Sequence, residues 1–477
     1  MPAGDGRMRF DPARLRRELA EIVGVDGVLW EPGGLATYDS DGFLAKARPL
    51  AVCLPTSAEQ VAAVVRLARR WRQPVTPRGA GTGLSGGATP VGGGLVVATS
   101  RMNRVRLIDA ENRRAVVEPG VVNADLTRAV EPFGLYYAPD PSSQSVSTLG
   151  GNVAENAGGP HCLAYGVTTN HVLALEVVLA DGAIVHLGNY PSGADGLGYD
   201  LAGLVTGGEG NLAFVTGITV RLLRRAETVR TLLALFDAVP AAGAAASAVI
   251  AAGIIPAALE FVDATTIGAL RGGGFRDYPA SAEAVLLVEL EGLAEQTAED
   301  AARVQAILLE SGAAEVRCAA TAAERARLWA GRKGALGAFG RLAPNYYIQD
   351  GVVPRSRLVD VLAQIQAIGR REGLLIANVF HAGDGNLHPT ILYDARAPGL
   401  TERVVAAGAE ILRCCVAAGG TLSGEHGVGL EKQAYLDWVF GPADQAAQRA
   451  LKQVFDPSLL LNPGKPFSGV ISDECER

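Results

Sequence analysis

Half of the histidines in the chain fall in two short stretches. HAGDGNLH at 381–388 carries two, GEHG at 424–427 carries a third, and the whole sequence holds six. The residues before His381, ANVF, read as a strand, Gly383-Asp384-Gly385 supplies a tight turn, and Asn386-Leu387-His388 resumes extended structure. A turn of this kind brings His381 and His388 to one side, within reach of a single ion. Glu425, on another glycine-flanked loop, then offers a third ligand. Two imidazoles and a carboxylate with open positions left over suit a catalytic divalent metal (Zn, Mn or Fe) rather than a structural one. Two core histidines beside a turn are the other reading of the same residues, and spacing alone leaves both open.

The elements around these loops fall into two patterns. Residues 57–71, SAEQVAAVVRLARRW, open with a capping box, Ser57 and Gln60, and have helical apolar spacing. A short strand follows at Val75-Thr76, then a glycine-rich tract over 79–94, the strand LVVAT, and strand-like segments through 104–120. A Gly/Ser/Asn-rich tract occupies 142–159, and two β stretches follow at 172–187 and 212–223. After about residue 225 the order becomes strand (TLLALFDA), Ala-rich helix, strand (AALEFVD), strand (AVLLVELEG), helix (AEDAARVQAILLESG), strand (EVRCAA). That is the βαββαβ order of ferredoxin-like units. Helical patterns at 321–340, 354–372 and 401–418 are interrupted by strands at 345–353 and 374–393, and the chain ends in a helix and LNPGKPF.

The tract PRGAGTGLSGG contains GTGLSG, a formal G-x-G-x-x-G. A dinucleotide-binding Rossmann unit needs a helix directly after the loop, and Thr89-Pro90 followed by Gly92-Gly93-Gly94 forbids one. What survives is the use of closely spaced glycines to converge backbone N–H groups on an anion. Four or five charge-assisted bonds of roughly 1.5–3 kcal/mol each are enough to hold a pyrophosphate without a lysine. In the second tract, Gly150-Gly151 near the start of a short helix are expected to turn free N–H groups outward, and Asn152 and Asn156 offer amides for a flavin or nucleotide edge.

Composition bounds the rest. The 477 residues are 48% hydrophobic and 19% charged, with a net charge of −7, so two to four domains are expected and there is no basic footprint for nucleic acid. The six cysteines form no CxxC pair, which reads as reduced thiols in a cytoplasmic protein. The N-terminus lacks the apolar stretch of a signal peptide. The uncharged run 239–259 is mostly alanine, broken by Pro240, Gly243, Gly253 and Pro256, and is expected to form a buried helix rather than a membrane span.

Taken together and in order, PRGAGTGLSGG, PDPSSQSVSTLGGNVAENAGG, YGVTTN and TGGEGNLAFVTGITVRL resemble the FAD-binding half of the vanillyl-alcohol-oxidase (PCMH-type) superfamily. HAGDGNLHP, SGEHGVGLEK and LNPGK resemble its glycolate oxidase D subunits and FAD-linked D-lactate and D-2-hydroxyglutarate dehydrogenases. The resemblance spans about 45–467 and implies an α+β fold. A PCMH-type two-subdomain FAD-binding domain occupies 1–225, a ferredoxin-like α+β cap (substrate) domain 226–420, and a C-terminal helical segment, 421–477, packs back toward the flavin.

The resemblance also assigns residues. FAD pyrophosphate is expected on the backbone of Gly79, Ala80, Gly81, Thr82, Gly83, Leu84 and Ser85, which Pro77 and Arg78 introduce. The isoalloxazine and ribityl are expected at Pro139, Thr148, Gly151, Asn152 and Asn156, with Gly158, Glu209 and the Asn462-Pro463 step completing the cofactor set. The first glycine loop has no histidine, so FAD is expected to be non-covalent, and His161 and Cys162 are read as structural or near the flavin. His381, His388 and Glu425 are implied as metal ligands, His426 as the group acting on the substrate hydroxyl, and Arg332, in LWAGRKG, as the partner of the substrate carboxylate.

These roles fit one chemistry. Oxidising a 2-hydroxy acid removes the hydroxyl proton and the α-hydride. Histidine ionises near about 6.5 and water, standing in for the alcohol, near about 15.7, a mismatch of roughly nine units or about 12 kcal/mol. A lone histidine does not bridge that gap; a chelating ion closes much of it and fixes the α-carbon over the flavin, whose N5 takes the hydride. Where 2-hydroxyglutarate enzymes carry a lysine near the strand NYYIQDG, this chain has Ile348, which argues for a small monocarboxylate such as glycolate or D-lactate and against a dicarboxylate. No cysteine spacing here suits an iron–sulfur cluster. The resemblance therefore implies electron transfer to separate iron–sulfur and second-flavin subunits, with peripheral membrane attachment through them, and leaves a homodimer open. The competing reading is a non-catalytic FAD-binding electron-relay subunit.

Overall fold

The computed structural model describes residues 10–192 and 198–467. They fall into two compact units. One comprises residues up to Ala157, Thr168–Arg224 and the chain from His426 on; the other comprises Gly158–Val167 and Arg225–Glu425. The ten residues 158–167 join the second unit, and the chain from His426 on is part of the first.

In the first unit, β1 (Val28–Leu29), β2 (Ala51–Cys53), β3 (Val75–Arg78) and β4 (Leu95–Ala98) form a sheet of order β1-β2-β4-β3. Its last three strands are parallel. The helix Ala58–Trp71 starts at the expected cap, where Ser57 Oγ accepts from the Gln60 N–H at 3.4 Å and Gln60 Oε1 accepts from the Thr56 N–H at 2.7 Å. It buries Val61, Val64, Val65, Ala68 and Trp71 in the core of that sheet. The glycine loop after β3 leads into β4 with no intervening helix, as the Rossmann exclusion requires.

A second sheet contains β5 (Val105–Asp109), β6 (Arg114–Val117), β8 (Val172–Val178), β9 (Ile184–Leu187) and β10 (Phe214–Arg221), in the antiparallel order β5-β6-β10-β8-β9. β7 (Leu135–Tyr136) pairs with β11 (Leu223–Arg224). The helices Asn123–Val130 and Leu149–Glu155 pack Leu126, Val130, Leu149 and Val153 into this core.

The C-terminal piece is bound into the same unit. Leu461 bridges in parallel to Val75 of β3. At the end of the helix Pro442–Phe455, the buried Lys452 Nζ donates to Asp456 Oδ2 (2.7 Å), the Asn211 carbonyl (2.6 Å) and the Leu461 carbonyl (2.9 Å).

In the second unit, β12 (Thr228–Phe236), β13 (Ala258–Asp263), β14 (Ala284–Gly292) and β15 (Glu315–Cys318) form the βαββαβ unit read from the sequence, in sheet order β15-β12-β14-β13. β17 (Leu375–His381) adds to the β13 edge, followed by β18 (Pro389–Tyr393) and β16 (Asn345–Ile348), giving one antiparallel seven-stranded sheet. The Ala-rich run forms the helix Val239–Ala251 and buries Ala242, Gly243, Ala245, Ala246 and Val249. No helix of the described residues is long and apolar enough to cross a membrane.

The helix Ala322–Phe339 carries Arg332 and is capped by Thr321, whose Oγ1 accepts from the Glu324 N–H at 3.1 Å while Glu324 Oε2 accepts from the Ala320 N–H at 2.8 Å. Thr321→Ala is expected to lower stability by about 1 kcal/mol, read as a lower denaturant midpoint at unchanged slope.

Candidate functional site

The second unit assembles the histidine–glutamate cluster. His381 ends β17, and its N–H donates to the Asn386 carbonyl at 3.2 Å, closing the turn whose Gly385 sits at φ +81°. A Cβ on Gly385 would lie 2.2 Å from the Val353 carbonyl oxygen, so both conformation and space call for glycine. The turn sets the two imidazole rings nearly perpendicular, with centroids 5.0 Å apart. Both Nε2 atoms face the same oxygen, Glu425 Oε1, at 3.5 Å from His381 and 3.1 Å from His388.

That arrangement fits a divalent ion. Two donors each about 2.1 Å from a tetrahedral metal are about 3.4 Å apart. One ligand atom from each of His381, His388 and Glu425 lies within 4.8 Å of the others. The remaining nitrogens are held from behind: His381 Nδ1 lies 2.8 Å from Glu260 Oε1, and His388 Nδ1 lies 3.4 Å from the Gln349 carbonyl and 3.9 Å from Asp350 Oδ1. Metal-bound histidines are typically oriented in this way through the other ring nitrogen.

Glu260 is a residue the sequence reading missed. It lies directly across from His381 in the β13–β17 register and is fully buried. Its second oxygen accepts from Arg332 Nε at 2.5 Å. Burial pushes the Glu260 carboxyl up, but Arg332 and then His381 outweigh it and hold the group below the usual carboxylate range. For His381, burial acts against the charged ring, yet Glu260 and then Glu425 raise it well above the ordinary histidine value. Arg332 is itself buried, one layer behind His381.

Asp384, Asn386, Gly424, His381 and Glu425 line a cavity of about 160 Å³, closed on another side by Gly158, Gly159 and Cys162. The segment 158–167 is anchored by His161 Nε2 to Glu289 Oε1 (3.2 Å) and by Tyr165 Oη to Glu291 Oε2 (2.6 Å). Thr231 and Trp329 both donate to the other Glu289 oxygen at 2.6 Å. With its oxygens so engaged, the His161–Glu289–Glu291 group anchors this segment within the second unit. Gly158, read from the sequence as a cofactor residue, stands against the Glu425 carboxylate: a Cβ there would lie 2.8 Å from Glu425 Oε2. Ile348 is buried at the end of β16.

The first unit carries the glycine loops. The N–H groups of Gly81, Thr82, Gly83, Leu84 and Ser85 find no acceptor among the described residues, and the buried Ser85 Oγ has no partner. This cluster of unused donors suits a pyrophosphate. Gly79 packs so closely on Thr148 that a Cβ would lie 2.4 Å from Thr148 Oγ1. The Arg78 guanidinium packs against Gly81, where a Cβ would lie 2.2 Å from Nη2, donates to the Ser40 carbonyl at 2.8 Å and lies over the Tyr38 ring.

The second tract differs from expectation. The Leu149 and Gly150 N–H groups donate to the Val121 and Pro119 carbonyls, both at 2.8 Å, and the Gly151 N–H donates to Thr148 Oγ1 at 3.4 Å. They are therefore not free, because the Val122–Thr148 bridge brings the preceding chain across the helix start. The Pro139 carbonyl and Asn152 Oδ1 both accept from Asn123 Nδ2 at 3.0 Å, and Asn156 Oδ1 accepts from the Thr169 N–H at 2.8 Å.

Glu209 and Asn462 brace the loop. Glu209 accepts from the Val428 and Gly429 N–H groups at 2.7 and 2.8 Å, and Asn462 Nδ2 donates to the Gly87 and Glu209 carbonyls at 2.9 and 2.7 Å. Beside them, Glu155 Oε2 is buried without a partner; burial, then the Glu209 and Asp41 charges, push its carboxyl well above the usual range. His426, the first residue of the returning chain, also belongs to this unit.

Comparison with known proteins identifies the family. Residues 49–188 match the FAD binding domain family, and residues 225–466 match the C-terminal domain of FAD linked oxidases. The chain is 48% identical over 429 residues to the glycolate oxidase subunit GlcD of Escherichia coli (strain K12), covering 90% of this chain and 86% of that protein. It is 35% identical to the D-lactate dehydrogenase of Anaerostipes hadrus, covering 90% and 92%. Among solved structures, p-cresol methylhydroxylase with substrate bound shares the fold at a TM-score of 0.81, 19% identity and 96% coverage of both chains. With both domain families present in order and such identity across nine-tenths of its length, the chain belongs to the FAD-linked oxidases and is an FAD-linked oxidoreductase.

Proposed function

We propose that the protein oxidises a small 2-hydroxy acid, glycolate or D-lactate in type, to the 2-oxo acid, with a divalent ion at His381, His388 and Glu425. The observation that carries this reading is the convergence of both histidine Nε2 atoms on one Glu425 oxygen at the edge of a small cavity. At about 160 Å³ the cavity is below the roughly 300–1,000 Å³ of sites for drug-sized ligands, which suits a substrate of a few heavy atoms. The names of the relatives, a glycolate oxidase subunit and a D-lactate dehydrogenase, point to the same class.

A divalent ion held there would supply the acidity the substrate hydroxyl needs, and bound FAD would supply a hydride acceptor. His426 takes up the hydroxyl proton. Arg332, its Nε fixed by Glu260, pairs with the substrate carboxylate through the rest of its guanidinium. The backbone N–H groups of Gly81–Ser85 hold the FAD pyrophosphate. Buried Ile348 offers no charge to a second carboxylate, which favours monocarboxylates. The electrons leave to a separate acceptor, with iron–sulfur and second-flavin subunits as the proposed partners.

The test is anaerobic mixing of the FAD-loaded protein with D- and L-2-hydroxy acids. Glycolate or D-lactate is expected to bleach the flavin absorbance; no bleaching across the panel points to an electron-relay subunit instead. His388→Ala is expected to lose the ion, keep its yellow colour and reduce at least 100-fold more slowly, at a cost of about 2.7 kcal/mol in the barrier. Full activity in that variant would remove the metal from the reading.

A further inference from the structure

We infer that Asp350 is the positioning residue that brings the metal ligands into register, an inference that rests on the metal reading above. Asp350 follows β16 and is fully buried. Its side chain joins segments far apart in sequence. Oδ1 accepts from Asn386 Nδ2 at 2.9 Å, in the turn between the two histidines, and from the Glu425 N–H at 3.2 Å. Oδ2 accepts from Ser423 Oγ at 2.5 Å. Its backbone carbonyl accepts from the Gly424 N–H at 3.0 Å. One residue therefore holds both the loop that delivers Glu425 and the turn that delivers the histidines, with Oδ1 also 3.9 Å from His388 Nδ1.

The loop has little freedom once held. Val352 and Thr421 exchange both backbone bonds, at 3.0 and 3.1 Å. A Cβ on Gly424 would meet the Asn386 side-chain carbon and nitrogen at 2.5 Å. The backbone thus fits the loop closely against Asn386, and Asp350 satisfies the donors this fit buries. The Asn386 amide and the Glu425 N–H are donors that need an acceptor, whereas the Ser423 hydroxyl can donate or accept. An asparagine at 350 can therefore keep its oxygen on Asn386 and Glu425 and donate its amide to Ser423. An alanine can do neither.

The prediction is an order of effects on the Zn²⁺ dissociation constant, measured on the FAD-loaded full chain by competition with a chromophoric chelator. Asp350→Ala is expected to weaken Zn²⁺ binding by about 10–100-fold, with the flavin content per chain unchanged. Asp350→Asn should recover most of that loss, and the Asp350→Asn/Ser423→Ala double variant should lose it again. Should Asp350→Ala fail to fold, Ser423→Ala alone decides: a several-fold weakening supports the role and an unchanged constant overturns it. Wild-type affinity in Asp350→Ala would overturn the inference and leave the metal site standing, whereas a wild-type chain that takes up no Zn²⁺ or Mn²⁺ would overturn both.

Discussion

Glu260→Leu is expected to lower the unfolding free energy by about 3–5 kcal/mol and to abolish retention of the divalent ion. Glu260 is fully buried and divides its two oxygens between His381 Nδ1 at 2.8 Å and Arg332 Nε at 2.5 Å. Deleting it leaves the Arg332 guanidinium buried with no counter-charge, and that cost exceeds the gain from a better-packed aliphatic side chain. Removing the cation as well, in Glu260→Leu/Arg332→Met, should recover most of the stability, since an apolar pair of similar volume is often neutral. Ion binding should not return, because His381 still lacks its orienting partner.

Glu260→Gln separates the two effects. With its oxygen on His381, the glutamine amide faces the Arg332 Nε–H, donor against donor. With its amide on His381, Nδ1 must accept, and the ring proton moves to Nε2, the nitrogen that faces Glu425. The first arrangement loses the Arg332 bond, and the second keeps both bonds but protonates the nitrogen that would face the ion, so reduced metal content with a smaller stability loss is expected. Denaturant unfolding and metal analysis on the same samples check the set. A Glu260→Leu protein as stable and as metal-replete as the parent would show that this carboxylate neither offsets Arg332 nor orients His381.

Glu260 also shows where reading the sequence runs out. The turn that unites His381 and His388 is local: strand, Gly-Asp-Gly, strand, with six residues between the two histidines, and short-range rules are enough to place it. The βαββαβ order is legible for the same reason, because period and turn residues mark each element in turn. Glu260 sits in AALEFVD and reads as an ordinary polar position of a strand, since its partner is 121 residues away and only the β13–β17 register makes them neighbours. One signal was available: a charge within a short, otherwise apolar strand needs a buried partner if both faces are covered. Asp350 escaped notice likewise, its partners being 36 and 73 to 75 residues away.

The same limit explains the N–H groups of the second glycine tract. Thr148 and the tract's glycines mark a helix start correctly, but the Val121 and Pro119 carbonyls that use up two of its donors come from tertiary pairing. Residues 158–167 continue a glycine-rich run without any break in composition, yet they fold with the second unit because His161 and Tyr165 find Glu289 and Glu291 there. The short helices Asn123–Val130 and Ala264–Gly272 were missed because each is about two turns long, too brief for a periodic pattern to stand out.

Gly429→Val is expected to empty the protein of FAD. Gly429 adopts φ +47°, and a Cβ there would lie 2.2 Å from the Ser85 carbonyl oxygen and 2.7 Å from its carbon. Left-handed backbone in a β-branched residue costs on the order of 1–3 kcal/mol, before the collision is counted. The neighbour is backbone and is already committed: the Ser85 carbonyl accepts from the Leu430 and Glu431 N–H groups at 2.8 and 3.1 Å. Relief therefore requires the 428–431 turn to leave the loop, which also breaks the bonds from Val428 and Gly429 to Glu209. Ser85 is the last of the five consecutive residues whose N–H groups are proposed to hold the FAD pyrophosphate, so displacing it disperses the donors that must converge. At about 1.4 kcal/mol per tenfold, losing two of those bonds weakens FAD binding about 100-fold or more. Gly93→Val is the matched control. Its φ of +66° imposes a similar backbone cost, but a Cβ there has no heavy atom within 4 Å. That variant should lose stability and still carry FAD through gel filtration, while Gly429→Val should emerge colourless. Equal flavin content in the two would mean that the Ser85 loop holds its shape without the turn at 428–431.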